Sequence, residues 1–241
     1  MHEKDHYVFE LPKGDPESIT IWRYLDFSKF VDLISTRSLY LAPISSMADQ
    51  HEGIIPEEFA NEWIQFEKNK NLDDGGVEGI KNILDSLPRL KRSTLISCWS
   101  IATIDSYALW RLYTKNKNAV AIKSNIQNLI NALNIDPDTQ YIGEVRYHTG
   151  NNYPGFRNAF DPSLFKWEYY KYESELRVVM TSEVRGTPPS NLRAKIDVNV
   201  LIDKIYLHPH SEQDELDLIE QILLENNIKK PVVKSGIREQ W

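Results

Sequence analysis

The chain has 241 residues, 41% of them hydrophobic and 26% charged, with a formal net charge of −7, which fits a globular protein of one large or two small domains. No stretch approaches the roughly 18–20 apolar residues of a membrane-spanning helix, and the acidic balance argues against nonspecific coating of nucleic acid, which needs a concentrated basic surface. The one cysteine, Cys98, excludes an internal disulfide; with a charged N-terminus that lacks an apolar signal segment, it leads to an expectation of cytoplasmic residence.

In chain order, SITIWRYL (18–25) alternates and predicts a strand. Asp26 stands where a helix N-cap belongs, and Phe27, Phe30, Val31 and Ile34 have the i, i+3, i+4, i+7 spacing of a helix with one buried face. SLYLAP (38–43) predicts a strand that Pro43 ends, and SSMADQHEG (45–53) reads as a polar loop. Pro56 suits a first helical turn, with Phe59, Trp63 and Phe66 facing inward. NLDDGGVEG (71–79) reads as a break, and Val77, Ile80, Leu84 and Leu87 as one side of a second, short helix. The two helices read as an insertion near 54–92 between two sheet-forming halves.

A strand is predicted over 93–99. Asp105 or Ser106 caps a short helix carrying Tyr107, Trp110, Arg111 and Tyr113, and the steps of three put its aromatic residues on one side, packed towards the centre. NAVAIKS (118–124) predicts a strand, and Ser124 with Gln127 a capping box for a helix over 125–134. TQYIGEVRYH (139–148), ELRVVMT (175–181), RAKIDV (193–198) and KIYLHP (204–209) read as strands, with NNYPGFRNAFDP (151–162) as a loop. Residues 212–226 predict a helix with Leu216, Ile219, Ile222 and Leu223 inward, and PVVK (231–234) a final edge strand. Strands and helices interleave without regular alternation, so the predicted class is α+β, with mixed or antiparallel sheets and flanking helices in one domain over 1–241.

Phosphate-loop, dinucleotide, zinc-protease, CxxC and GxSxG motifs are absent. The histidines at 2, 6, 51, 148, 208 and 210 share no ligand spacing, so no metal is expected. The densest cluster of chemistry is FKWEYYKYESELRVV (165–179). On an extended segment Glu173, Glu175 and Arg177 share a face, with Lys166 close by. Two carboxylates and a guanidinium suit a site that stabilises positive charge on a sugar while gripping hydroxyls; the alternative is a surface ladder of ion pairs. Arg23, between Trp22 and Tyr24 in an apolar strand, suits a phosphate or carboxylate, or else pairs with a glutamate. Ser45, Ser46, Asp49 and Glu52 orient hydroxyls or simply form a hydrophilic turn. Cys98 reads as a buried structural thiol.

Three segments carry a resemblance: IWRYLDFSKFVDLISTRSLYLAPISSMADQHEG, LISCWSIATIDSYALWRLYTKNKNAVAIKS and FKWEYYKYESELRVVM. In order, and over nearly the whole chain, they resemble a widespread bacterial domain-of-unknown-function family. Its pattern runs from an early K/R-Y through an S-F-N-D-P loop and a C-F-S…M-W…Y…G-V…F block to K…E-x-E-x-R. Here the loop is Ser46-Met47-Ala48-Asp49, without the family's Asn or Pro. The middle block is matched by Cys98, Trp99, Ser100, Trp110, Tyr113 and 119–122, and the last by Lys166, Glu173, Glu175 and Arg177. Members of that family often sit near phage-defence and abortive-infection genes.

The motif order also resembles, more remotely, the ADP-ribosyltransferase fold. Those enzymes carry an Arg or His on a first strand, a small hydroxyl residue on a second, and a Glu, often in E-x-E, at the start of a later one. The resemblance implies NAD as co-substrate, with Arg23 on a phosphate or ribose, Ser45 or Ser46 on the nicotinamide-side ribose, and Glu175 at the catalytic position beside Glu173. Tyr24, Trp110 and Arg177 would complete the cofactor site, and the acceptor would be a protein or nucleic acid. The long 54–92 insertion and the absence of a clear aromatic-hydroxyl STS-type strand depart from that fold. An alternative is a non-catalytic ligand- or protein-binding module with E-x-E-x-R as a structural ion ladder. A nuclease reading lacks a cluster of metal-binding carboxylates. The enzyme reading requires Arg23, Ser45 or Ser46, Trp110 and Glu175 to share one cleft, and is abandoned if Arg23 and Glu175 lie on opposite faces.

Overall fold

A computed structural model describes residues 11–47, 49, 51–53, 55, 57–69, 74–133, 141–149, 160–181 and 193–238. The chain opens with β1 (Thr20–Leu25), α1 (Phe27–Thr36), β2 (Ser38–Tyr40), β3 (Ala42–Pro43), α2 (Glu57–Asn69) and α3 (Asp74–Ser93). It continues through β4 (Thr94–Ile101), α4 (Tyr107–Tyr113), β5 (Val120–Asn125), α5 (Ile126–Leu133), β6 (Tyr141–Glu144), β7 (Arg146–His148), β8 (Phe165–Trp167) and β9 (Glu175–Thr181). The last elements are β10 (Arg193–Lys195), α6 (Val198–Leu201), β11 (Lys204–Leu207), α7 (Gln213–Glu225) and β12 (Val232–Lys234). Short 3-10 turns occupy Ile44–Ser46, Asp161–Leu164 and Glu168–Glu173.

An eight-stranded sheet carries the order β12-β11-β5-β1-β4-β9-β6, with β3 also paired to β4. Its neighbours are antiparallel except β11 and β12, which are parallel. Because side chains alternate along a strand, the sheet buries two faces. Ile21, Leu25, Trp99, Ile122, Leu176 and Val178 pack on one side with Phe30 and Ile34 of α1, Leu129 of α5, Leu201 of α6 and Ile219 of α7. On the other, Trp22, Tyr24 and Ala121 meet Leu109 and Trp110 of α4, while Ile96, Tyr141 and Val179 meet Ile44 and Leu164. Each fully buried aliphatic or aromatic side chain contributes about 1.5–3 kcal/mol to this core.

The α+β class with a mostly antiparallel sheet and flanking helices is therefore the observed one. Locally the structure differs from the sequence expectations. Asp26 precedes α1, but its Oδ1 accepts from the Lys115 amide at 2.9 Å and makes no cap bond to α1. Ser124 belongs to β5 and donates to the Leu201 carbonyl; Asn125 instead caps α5, its Oδ1 accepting from the Asn128 amide at 2.7 Å. Residues 74–79 are helical, so α3 is 20 residues long and runs directly into β4. The segment 139–148 divides into β6 in the main sheet and β7 paired with β8, and 198–201 forms α6. Expectations for His2, His6, Pro56, Phe66, 71–73 and 151–159 lie outside the described residues and side chains.

Candidate functional site

The main sheet is divided near its centre. β4 pairs with β9 from Thr94 to Ser100, but with β1 only at Ile21↔Ile101 and Trp22↔Ser100, and with β3 only at Ala42↔Ile96 and Pro43↔Leu95. Ser97, Cys98 and Trp99 therefore have no ladder partner on the β1 side, and Arg23–Leu25 have none on the β4 side, among the described residues. A cavity of about 230 Å³ lies there, lined by Arg23, Tyr24, Ser97, Cys98, Trp99, Ser100, Tyr113, Glu173 and Glu175 among others. By alternation Arg23 belongs to the face of Ile21 and Leu25, and Glu175 to the opposite face, yet both line this one cavity.

At the β9 wall stands a buried ion network. Lys166 Nζ lies 2.5 Å from Glu175 Oε1, 2.7 Å from Glu173 Oε2 and 3.1 Å from Glu52 Oε1. Arg177 donates through Nε to Glu175 Oε2 at 2.8 Å, through NH2 to Glu52 Oε2 at 2.8 Å, and through NH1 to the Ser163 carbonyl at 2.7 Å. Three carboxylates meet two cations, so the fully ionised network carries one uncompensated negative charge. Removing one partner from such a buried set typically costs about 3–5 kcal/mol, because it strands a desolvated charge.

A kink builds this geometry. Glu173 ends the 3-10 turn, Ser174 adopts the left-handed conformation (φ 44°), and Glu175 opens β9. The two carboxylates thus meet through a left-handed residue rather than by strand alternation, as the sequence suggested. The Ser100 hydroxyl donates to the Glu173 carbonyl at 2.8 Å, the Ile101 amide to the Ser174 carbonyl at 2.7 Å, and the Glu175 amide to the Tyr147 hydroxyl at 2.9 Å.

The network splits the acidities of its glutamates. Burial, the hydrogen bond to Glu175 and its charge raise the Glu173 carboxyl to about 7, against the pull of Lys166. Burial would also raise Glu175, but Arg177, Glu173 and Lys166 together hold it well below the ordinary carboxylate value. Burial pushes the Cys98 thiol up, with Glu175 adding and Arg177 opposing, so it stays a thiol. Burial, then Glu173 and Glu175, likewise raise the Tyr113 hydroxyl.

On β1 and β4 the cleft offers polar atoms with no partner among the described residues. Arg23 NH1, Ser97 Oγ and Trp99 Nε1 are buried there without a hydrogen bond from any described residue, a condition that costs free energy unless a ligand or water supplies one. Arg23 NH2 donates to the Tyr40 carbonyl at 3.3 Å, and its guanidinium carbon lies 5.7 Å from the Trp99 ring centre. Burial lowers the Arg23 value to about 10, with Cys98 opposing, so it remains a cation at neutral pH.

Of the residues singled out from sequence, Arg23, Tyr24, Glu173 and Glu175 line the cavity. Ser45 and Ser46 do not; they are exposed on the 3-10 turn after Pro43, where Ser46 Oγ donates to the Pro43 carbonyl at 2.7 Å. Trp110 is buried beneath α4, its Nε1 donating to Asp105 at 3.0 Å, and Tyr24 packs edge-on against it. Arg177 is fully buried with its guanidinium nitrogens committed to Glu52, Glu175 and Ser163, so it positions carboxylates rather than reaching a ligand. Trp99 and Ser100 enter the sequence reading only through the middle block of the resemblance, with no site role, and Ser97 does not enter it. The signal for the serines is the pair of small hydroxyl residues in SCWS, on the second long strand in chain order. Glu52, a candidate hydroxyl-orienting or turn residue on sequence grounds, closes the ion network instead.

Among the described residues no group of three or more His, Cys, Asp or Glu is placed to hold a metal ion, and no helix is long and apolar enough to cross a membrane. No protein-family model, curated protein or solved structure matches the chain.

Proposed function

We propose that the cleft between β1 and β4 binds NAD and that the chain is an ADP-ribosyltransferase-like enzyme, acting as a bacterial defence or toxin effector in the cytoplasm on a protein or nucleic-acid acceptor. One observation carries the reading: an arginine on the first strand, serines on β4 and a Glu-x-Glu at the start of β9 line a single cavity. Ser97 and Ser100 take the hydroxyl role first assigned to Ser45 or Ser46. The excess negative charge of the Glu52–Lys166–Glu173–Glu175–Arg177 network suits a reaction that develops positive charge.

In that chemistry the ribose–nicotinamide bond breaks heterolytically. Its electron pair goes to the ring nitrogen, which becomes neutral, and the sugar becomes an oxocarbenium ion. Glu175, held ionised, stabilises that cation. Glu173, poised near 7, accepts the proton of the attacking water or acceptor hydroxyl. Arg23, still cationic, holds a phosphate or ribose oxygen.

A second reading, a non-catalytic ligand- or protein-binding module of the same fold, is favoured by Glu175 itself. It is 3% exposed, and Lys166 and Arg177 occupy both of its oxygens. The test is incubation of purified protein with labelled NAD and cell lysate. The enzyme reading expects nicotinamide release or label transfer that Glu175→Gln abolishes. If neither product forms, and Glu173→Gln and Glu175→Gln change only the melting temperature, the module reading stands.

A further inference from the structure

The other side of α4 forms a second cavity, of about 380 Å³, against the turn that follows β11. Leu109 and Tyr113 of α4 line the first cleft, whereas Tyr107, Trp110, Arg111 and Thr114 line this one. We propose that this second cavity binds a nucleoside phosphate, either a free nucleotide or a nucleotide unit of a nucleic-acid strand; the proposal does not rest on the reading of the first cleft.

The cavity pairs flat rings with fixed cations. The His208 and His210 imidazoles lie 5.3 Å apart, and His208 packs edge-on against Trp110 at 5.2 Å. His208, the exposed His210 and the half-exposed Tyr107 line the cavity with rings on which a base can stack, and Trp110 is buried behind His208. Lys117 is held by Glu212 at 2.8 Å and Glu215 at 3.2 Å, so it offsets one of their two negative charges and is not itself left for a ligand. The Arg111 and Lys115 side chains have no hydrogen-bond or ion-pair partner among the described residues and are left to meet a phosphate. The cavity lining itself carries Arg111, Lys115 and Lys117 and no carboxylate. Glu212 and Glu215 engage Lys117, and Asp26 and Asp105 bind the Lys115 amide and the Trp110 ring nitrogen behind it, so Arg111 and Lys115 are the cations left to meet one anionic ligand.

Calorimetric titration with AMP, adenosine and a single-stranded oligonucleotide tests this. The wild type should bind AMP about tenfold or more tightly than adenosine, and Arg111→Ala/Lys115→Ala should remove that preference without shifting the melting temperature, since both residues are exposed. Tighter binding of the oligonucleotide than of AMP assigns the site to a strand, and equal or weaker binding assigns it to the free nucleotide. Failure of all three to bind overturns the proposal. AMP binding that the double variant leaves intact but Arg23→Ala abolishes also overturns it, by placing the nucleotide in the first cleft.

Discussion

Glu173 and Glu175 stand two residues apart, share Lys166, and are driven in opposite directions. Glu173 is raised from 4.5 to about 7, so within that interval the folded state holds a proton that the unfolded chain has released. Its contribution to stability is complete below the ordinary value and is lost as pH rises through about 7. Glu173→Gln should flatten this decline in a series of urea midpoints against pH; an unchanged slope would place the titration elsewhere. Glu175 is depressed, so its contribution is present above the ordinary carboxylate value and is lost as pH falls below it. Glu175→Gln, which keeps an acceptor but removes the charge facing Lys166 and Arg177, should cost about 3–5 kcal/mol at neutral pH by denaturant unfolding. A variant as stable as the wild type would mean the network adds nothing to folding. At this scale the sequence was half legible. Lys166, Glu173, Glu175 and Arg177 fall within a dozen positions and announced themselves by proximity. Glu52 reaches Arg177 across 125 positions, and no local pattern carries that information.

The 3-10 turn over 168–173 and the left-handed Ser174 do for this site what a straight strand would not. They let Glu173 reach back to the same ammonium as Glu175. A β-branched side chain is strained at φ 44°. Ser174→Val should therefore cost about 1–2 kcal/mol in thermal or chemical unfolding, whereas Ser174→Gly should be tolerated. Equal melting temperatures for the valine, glycine and wild-type chains would show that the kink is not required. The turn was hidden because EYYKYE contains no glycine or proline to break an extended reading. α4 teaches a similar lesson. Steps of three grouped Tyr107, Trp110 and Tyr113, but the fully buried pair is Leu109 and Trp110, and both tyrosines are about 40% exposed. The helix lies between two cavities, so its aromatic residues serve both sides and cannot all turn to one core.

Across the whole molecule, alternation and helical spacing were enough to give the α+β class and most of the helices and strands, though not α6 or the first turns of α3, because burial on one face leaves a periodic trace. Strand order left no such trace: which strand lies beside which depends on long-range pairing, and so does the parting of β1 from β4, whose ladder stops after Ile21 and Trp22. The central claim is that this parting is an NAD site gripped by Arg23. Equilibrium titration of NAD into the wild type and into Arg23→Ala tests it most directly. The account predicts saturable binding by the wild type, weakened about tenfold or more in the variant with the melting temperature preserved. Absence of binding, or equal affinity in the two proteins, would contradict it.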